Sequence, residues 1–293
     1  YYGDESKYDY ENNQFGFDRG DLSGVQDKTT APMGAGPYQF VEYSNRIAYL
    51  EANENYYKGA PKTKYVQFKE VAYADMIPGI DNGTLDVAMP DGNKTNMEQI
   101  AGFNSNGETT GDKMTTNAVD FLGYGFVGIN ANTVNVGGDP ASDQSKDLRK
   151  AIATVLAVYR DVSIDSYYGS AASVINYPIS NTSWAAPQPS DADYQVAYST
   201  DVNGNPIYTD DMSAEEKYDA AIQAALGFFE AAGYTVTDGK VTAAPAGASM
   251  EYEVMIPADG NGDHPSFAIL TDASNALAEI GFTLRVNDLS DSN

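Results

Sequence analysis

Between Gly34 and Lys69 the chain carries a run of turn and strand signals that few folds accommodate. Gly34 and Gly36 permit a tight bend, and Pro37 fixes φ as the chain leaves it. Tyr38 and Phe40 alternate with polar Gln39, which predicts a strand start. A second strand is expected from Arg46 to Ala52, with Ile47 and Tyr49 on one face and Ala48, Leu50 and Ala52 on the other. Asn53 to Pro61 is turn chemistry with Tyr56 and Tyr57 embedded in it. Tyr65 to Lys69 predicts a third strand that buries Val66 and Phe68. Together these make a small β-meander with a glycine-hinged entry.

Downstream, Tyr73 to Ile80 predicts a short helix interrupted at Pro78 and ended at Asn82-Gly83. Thr84 to Met89 predicts a buried strand, Asn93 to Phe103 a helix with Met97, Ile100 and Ala101 on one face, and Tyr124 to Asn130 a further strand. The Gly/Pro-rich residues 136–141 are expected to form a crossover linker. Beyond it a helix opens at Ser145, with Leu148, Ile152, Val155, Leu156 and Tyr159 at core spacing. Ser213 with Glu216 at N3 is a capping box for a long helix whose stripe is Ala220, Leu226, Phe229 and Ala232, ended by Gly233. Met250 to Ile256 predicts a strand, Ser266 to Ile280 a helix closed by Gly281, and Phe282 to Val286 a strand.

The 42 acidic residues outnumber the 17 basic ones, for a formal charge of −25. Such a field repels phosphates and anionic headgroups, so no nucleic acid or anionic membrane partner is expected. With no cysteine, neither a disulfide framework nor a thiolate metal site can form. No apolar run is long enough to span a bilayer. The chain starts at Tyr1 without an initiator methionine or signal peptide, and it is expected to be an internal piece or a mature fragment of a longer protein.

The order of these motifs resembles the family 5 extracellular solute-binding proteins, the dipeptide, oligopeptide and nickel receptors of ABC importers. The match runs through Gly34, Gly36-Pro37-Tyr38, Phe40, Asn55, Tyr56-Tyr57, Gly59, Pro61-Lys62, Val66 and Phe68-Lys69-Glu70. It continues in Asn82 to Val87, Tyr124 to Asn130, Leu148 to Ile152, Tyr167-Tyr168-Gly169, Leu226 to Tyr234 and Ile280 to Val286. Thr84 stands where the family has Glu, and its Asp-Arg is inverted to Arg160-Asp161. The resemblance implies an α/β, periplasmic-binding-protein-like (type II) fold of mixed sheets flanked by helices, here incomplete. Residues 1–33 would be the tail of an upstream lobe, 34–135 the central part of lobe I, and 142–293 a C-terminally truncated lobe III. It also implies an extracytoplasmic monomer, lipid-anchored at full length, that captures a peptide or other small solute and docks on a membrane permease without cofactor or metal. The family's later W-G-x-x-x-D-P segment has no counterpart in the chain, so residues 1–293 alone are expected to bind ligand weakly.

Catalytic chemistry finds little support in the residues. The one histidine, His264, lies in a loop before a helix with no nucleophile motif beside it. The runs starting at Asp259 and Asp201 imitate calcium loops, but position 12 holds Leu270 in one and Met212 in the other. Trp184, the only tryptophan, and Tyr168 are the candidate ligand contacts, because aromatic rings line small-molecule clefts. The alternative for Trp184 is a loop anchor packed on its own lobe, and for Tyr168, as for Tyr56-Tyr57, plain packing. A secreted carbohydrate-active enzyme or carbohydrate-binding surface protein is the competing class. It would show a cleft with two convergent carboxylates, and an adhesive domain would show no cleft at all.

Overall fold

A computed structural model describes residues 34–258 and 260–289, together with Ser6, Tyr8–Asp9, Glu11, Gln14–Phe15 and Pro32. The chain divides into two units between Gly79 and Ile80. Most of the arm expected over residues 1–33, and Asp259 of the calcium-like run, lie outside the described residues. Within that arm β1 (Tyr8–Asp9) pairs antiparallel with β2 (Gln14–Phe15).

The meander forms as expected: β3 (Tyr38–Ser44), β4 (Ile47–Ala52) and β5 (Tyr65–Lys69) make an antiparallel sheet in that order. Asn45 and Arg46 both sit at positive φ, 52° and 62°, as a two-residue hairpin turn requires. The second strand therefore starts at Ile47, one residue later than expected. Asn53 explains much of the motif: its N–H donates to Pro37 O at 2.8 Å and its Nδ2 to Gly36 O at 3.1 Å. These bonds tie the glycine hinge to the far end of β4. Burial of Phe68 is not observed; it is 66% exposed, and Val66 is half-buried. The cause is position: β5 is an edge of the sheet, while central β4 is half-buried along its whole length.

A 3₁₀ turn at Tyr73–Asp75 leads into α1 (Met76–Asp81), and Pro78 lies in its first turn, where its missing N–H costs nothing, so it does not interrupt the helix. α2 (Lys94–Phe103) starts at Asn93, whose side chain accepts from Asn96 N–H, and it buries Ile100. The strands expected at Thr84 to Met89 and Tyr124 to Asn130 do not form. Among the described residues no hydrogen bond reaches the backbone of residues 85–90 or 117–129. A strand needs a neighbour for its N–H and C=O groups, and neither stretch has one among the described residues. Met89 is consequently 91% exposed and Phe121 84%, with Val119, Leu122 and Phe126 also in solvent.

The core sits between three helices. α3 (Asp143–Val158) is capped by Ser142 and buries Leu148, Ile152, Val155 and Leu156. A single helical turn, α4 (Arg160–Ser163), follows it. α5 (Ala214–Ala231) carries the expected capping box of Ser213 and Glu216, and buries Leu226, Phe228 and Phe229. The hairpin β6 (Thr235–Thr237) and β7 (Lys240–Ala243) comes next. β8 (Glu251–Ile256), α6 (Phe267–Glu279) and β9 (Thr283–Asp288) then form a strand–helix–strand unit with parallel strands. Two of these three helices, α5 and α6, end in one way. In α5 Tyr234 N–H reaches Phe229 O and Gly233 N–H reaches Glu230 O; in α6 Phe282 N–H reaches Leu277 O and Gly281 N–H reaches Ala278 O. These are Schellman caps, with Gly233 and Gly281 at φ 91° and 86°. Each cap delivers the next aromatic, Tyr234 or Phe282, into the core, where both meet Phe229 at centroid distances of 5.3 and 4.6 Å.

Residues 136–141 hold no helix or strand; Gly137 and Gly138 turn at positive φ around a Val136–Asp139 bridge. The preceding and following residues are strapped to α3, with Arg149 donating to Val134 O at 3.0 Å and Pro140 O at 2.8 Å. Ser145 Oγ accepts from Val136 N–H at 2.8 Å.

Candidate functional site

The two residues singled out from sequence fall in the stretch between α4 and α5. After α4 the backbone makes a π-helical turn at Ile164–Tyr168 and a 3₁₀ turn at Gly169–Ala171, then runs irregularly to Ser213. Tyr168 is half-buried and packs edge-on to Tyr167 at 5.0 Å. Burial, with Asp91 adding to it, pushes the Tyr168 phenol above its usual range, so the group stays a neutral donor. Trp184 is 97% exposed and touches no other ring among the described residues. Among the described residues Trp184 does not pack as a loop anchor on its own lobe would. The ring that should anchor the loop projects from it instead.

The loop around Trp184 is nonetheless well tied. Ser183 N–H donates to Ser180 O at 3.0 Å and Ala186 N–H to Ser183 O at 3.1 Å, bracketing the tryptophan with two turns. Ser180 and Ala186 are buried beneath it. At the base, Asn176 Nδ2 donates to Tyr194 Oη at 2.9 Å, and Gln195 N–H donates to Tyr177 Oη at 2.9 Å. Arg160 also reaches this base, and burial draws its guanidinium below the usual range while Asp161 pulls the other way. Beside Arg160, the Tyr208 hydroxyl is buried without a hydrogen-bond partner, and burial raises its pKa.

Sequence reasoning passed over one further concavity. A cavity of about 320 Å³ is lined by Lys150, Thr154, Tyr198, Asp201, Val202 and Phe228. That volume is at the small end for ligand pockets. Its floor includes the Thr154 hydroxyl, buried without a partner, and Lys150 Nζ lies 5.6 Å from the Phe228 ring centroid. Asp201, read from sequence as a calcium-like start, is an Asx turn: Oδ1 accepts from Asn203 and Asn205 N–H, and Oδ2 from Asn205 Nδ2. These bonds, led by Asn205, hold its carboxyl below the usual range. Only the Asn203-Gly204 turn signal marked this place in sequence, and it did not point to a cavity.

The described residues thus offer an exposed indole on a tied loop and tyrosines kept neutral by burial. A model for bacterial extracellular solute-binding proteins, family 5 Middle, matches residues 18–293. The chain belongs to this family. Among solved structures, this family 5 protein is similar to the ABC transporter substrate-binding protein CtaP from Listeria monocytogenes, at 18% identity and TM-score 0.51 over 92% of this chain and 44% of that one. NikZ from Campylobacter jejuni, solved with Ni(L-His), gives 17%, 0.51, 94% and 46% in the same terms. A periplasmic oligopeptide-binding protein of an ABC transporter from Thermotoga maritima gives 13%, 0.53, 99% and 47%. No curated protein sequence matches the chain. The family 5 protein described here spans under half the length of these solved relatives. Its fold is α/β and periplasmic-binding-protein-like, as expected, but the expected mixed sheets are not observed among the described residues, where each small sheet is wholly antiparallel or, for β8 and β9, wholly parallel.

Proposed function

We propose that this family 5 protein is the solute-capturing component of an ABC importer, that its solute is a peptide, and that Trp184 and Tyr168 contribute to the site. Residues 136–141 serve as the crossover between its lobes, and the loaded receptor delivers its solute to a membrane permease. The protein acts outside the cytoplasm as a lipid-anchored monomer. The family match over residues 18–293 carries the reading. The exposure of Trp184 supports the assignment of residues, because a large apolar ring is costly to leave in water unless something covers it in use. No chemistry is performed on the solute. His264, the one histidine, is engaged in the turn before α6, where its Nδ1 accepts from Ser266 N–H at 3.1 Å.

Calorimetric titration of the full-length protein with mixed short peptides tests this. Saturable binding is expected, weakened about tenfold or more by Trp184→Ala, which is roughly 1.4 kcal/mol, within the range of one aromatic stacking contact. Equal affinity in the variant would remove Trp184 from the site. No heat with any peptide would overturn the peptide assignment.

A further inference from the structure

Arg160 is half-buried, yet no carboxylate lies within ion-pairing distance of it among the described residues. Its charge is spent on three neutral acceptors. Nε donates to Ala157 O at 3.0 Å, Nη1 to Ile175 O at 2.9 Å and Nη2 to Asn176 Oδ1 at 3.1 Å. The first acceptor belongs to α3, and the other two open the loop that bears Trp184. A planar fork can reach three directions at once, which an ammonium on a flexible stem cannot reproduce.

Asn176 relays this hold across the mouth of the loop. Besides accepting from Arg160, its Oδ1 accepts from Ala197 N–H at 3.1 Å, and its Nδ2 donates to Tyr194 Oη at 2.9 Å. Tyr177 and Tyr194 then pack ring on ring, 5.5 Å between centroids. Residues 175–177 and 194–197 are thereby drawn together, and the intervening stretch is closed into a loop. The backbone bonds inside that stretch, such as Asp191 N–H to Gln188 O, are local turns, and Asn181 Nδ2 donates to Ser173 Oγ at 2.7 Å just outside it. Local turns set the loop's shape, whereas the Arg160 contacts at its mouth tie it to α3.

We propose that Arg160 and Asn176 form a latch that fixes the 178–193 loop on α3 and so determines where Trp184 is presented. Arg160 is a positioning residue: it touches no ligand and acts through Asn176. The consequence for binding rests on the reading that Trp184 meets the solute, while the latch itself does not depend on it.

Trp184 is the only tryptophan, so its fluorescence reports the loop alone. Time-resolved anisotropy of the whole chain, without solute, is compared in wild type, Arg160→Lys, Asn176→Ala and Asn176→Asp. In Arg160→Lys and Asn176→Ala the amplitude lost to nanosecond motion should rise about twofold. Chymotryptic cleavage within the loop should quicken about tenfold, with the unfolding midpoint unmoved. Asn176→Asp keeps an acceptor for Arg160 and Ala197, and can accept from Tyr194 Oη, so it should match wild type. Wild-type anisotropy in all the variants overturns the latch, as does Asn176→Asp moving as freely as Asn176→Ala. A midpoint that falls together with the anisotropy in Asn176→Ala also overturns it, since both residues would then be ordinary stabilising contacts. Because no solute is present, a failure of Trp184→Ala to weaken binding would sink the proposed site and leave this result standing.

Discussion

Truncating Phe229 to alanine is expected to remove about 3–5 kcal/mol of folding stability, the usual range for emptying a buried aromatic site. Phe229 has no solvent exposure and sits where the two Schellman caps converge, against Tyr234 and Phe282. Tyr234 cannot move into the gap freely, because its hydroxyl donates to Ser249 O at 2.7 Å. Phe282 is held at its own cap by the bond from its N–H to Leu277 O at 3.0 Å. The cavity should therefore persist rather than collapse, which places the cost toward the upper end. Denaturant unfolding followed by far-ultraviolet circular dichroism checks it. A loss under about 1 kcal/mol would mean that the three rings do not form the centre of the core.

Gly281→Ala should destabilise as severely, and far more than Gly233→Ala, although the two glycines cap their helices alike. Both sit in left-handed backbone, where any side chain costs about 1–2 kcal/mol. The difference lies in what surrounds them. A Cβ on Gly233 would meet the end of the flexible Gln144 side chain at 3.3 Å, which can move aside. On Gly281 it would come within 2.5 Å of the Val241 carbonyl oxygen. That backbone cannot shift without breaking the 2.7 Å bond from Val241 N–H to Ile280 O. Paired unfolding curves for the two variants decide the matter. Equal losses would show that conformation alone, and not the close approach of β7, sets the requirement for glycine.

The parts of the fold legible in sequence are those decided by local rules. Ser213 with Glu216, Gly233 and Gly281 mark helix ends through bonds spanning a few residues, and Leu148 to Leu156 mark a face through periodicity. Gly36-Pro37 and Asn53 are legible as separate turn signals, but the bonds that join them are not. Thr84 to Met89 and Tyr124 to Asn130 have strand composition but no strand, because pairing is a property of a neighbour rather than of the segment. Phe68 was misjudged for a related reason: alternation tells which face a residue takes, not whether that face is covered. At the candidate site, Trp184 was noticed for its type alone. The long-range contacts of Arg160, Asn176 and Tyr194 at the base of its loop are announced by no spacing in the sequence.

The uncovered ribbon at residues 117–129 has a bearing on solubility. Backbone groups that meet no partner among the described residues, flanked by Val119, Phe121, Leu122 and Phe126, make an adhesive strip able to bind a like strip on another molecule. At neutral pH the charge of −25 keeps copies apart. That repulsion vanishes near the isoelectric point of about 4.1, while the apolar side chains of the strip carry no titratable group. Light scattering should therefore climb as the pH is lowered from 7 toward 4, and Phe121→Lys with Phe126→Lys should blunt the climb. A scattering curve unaltered by those lysines would assign the precipitation to charge neutralisation alone. The colloidal behaviour of the chain would then owe nothing to the strands it leaves unmade.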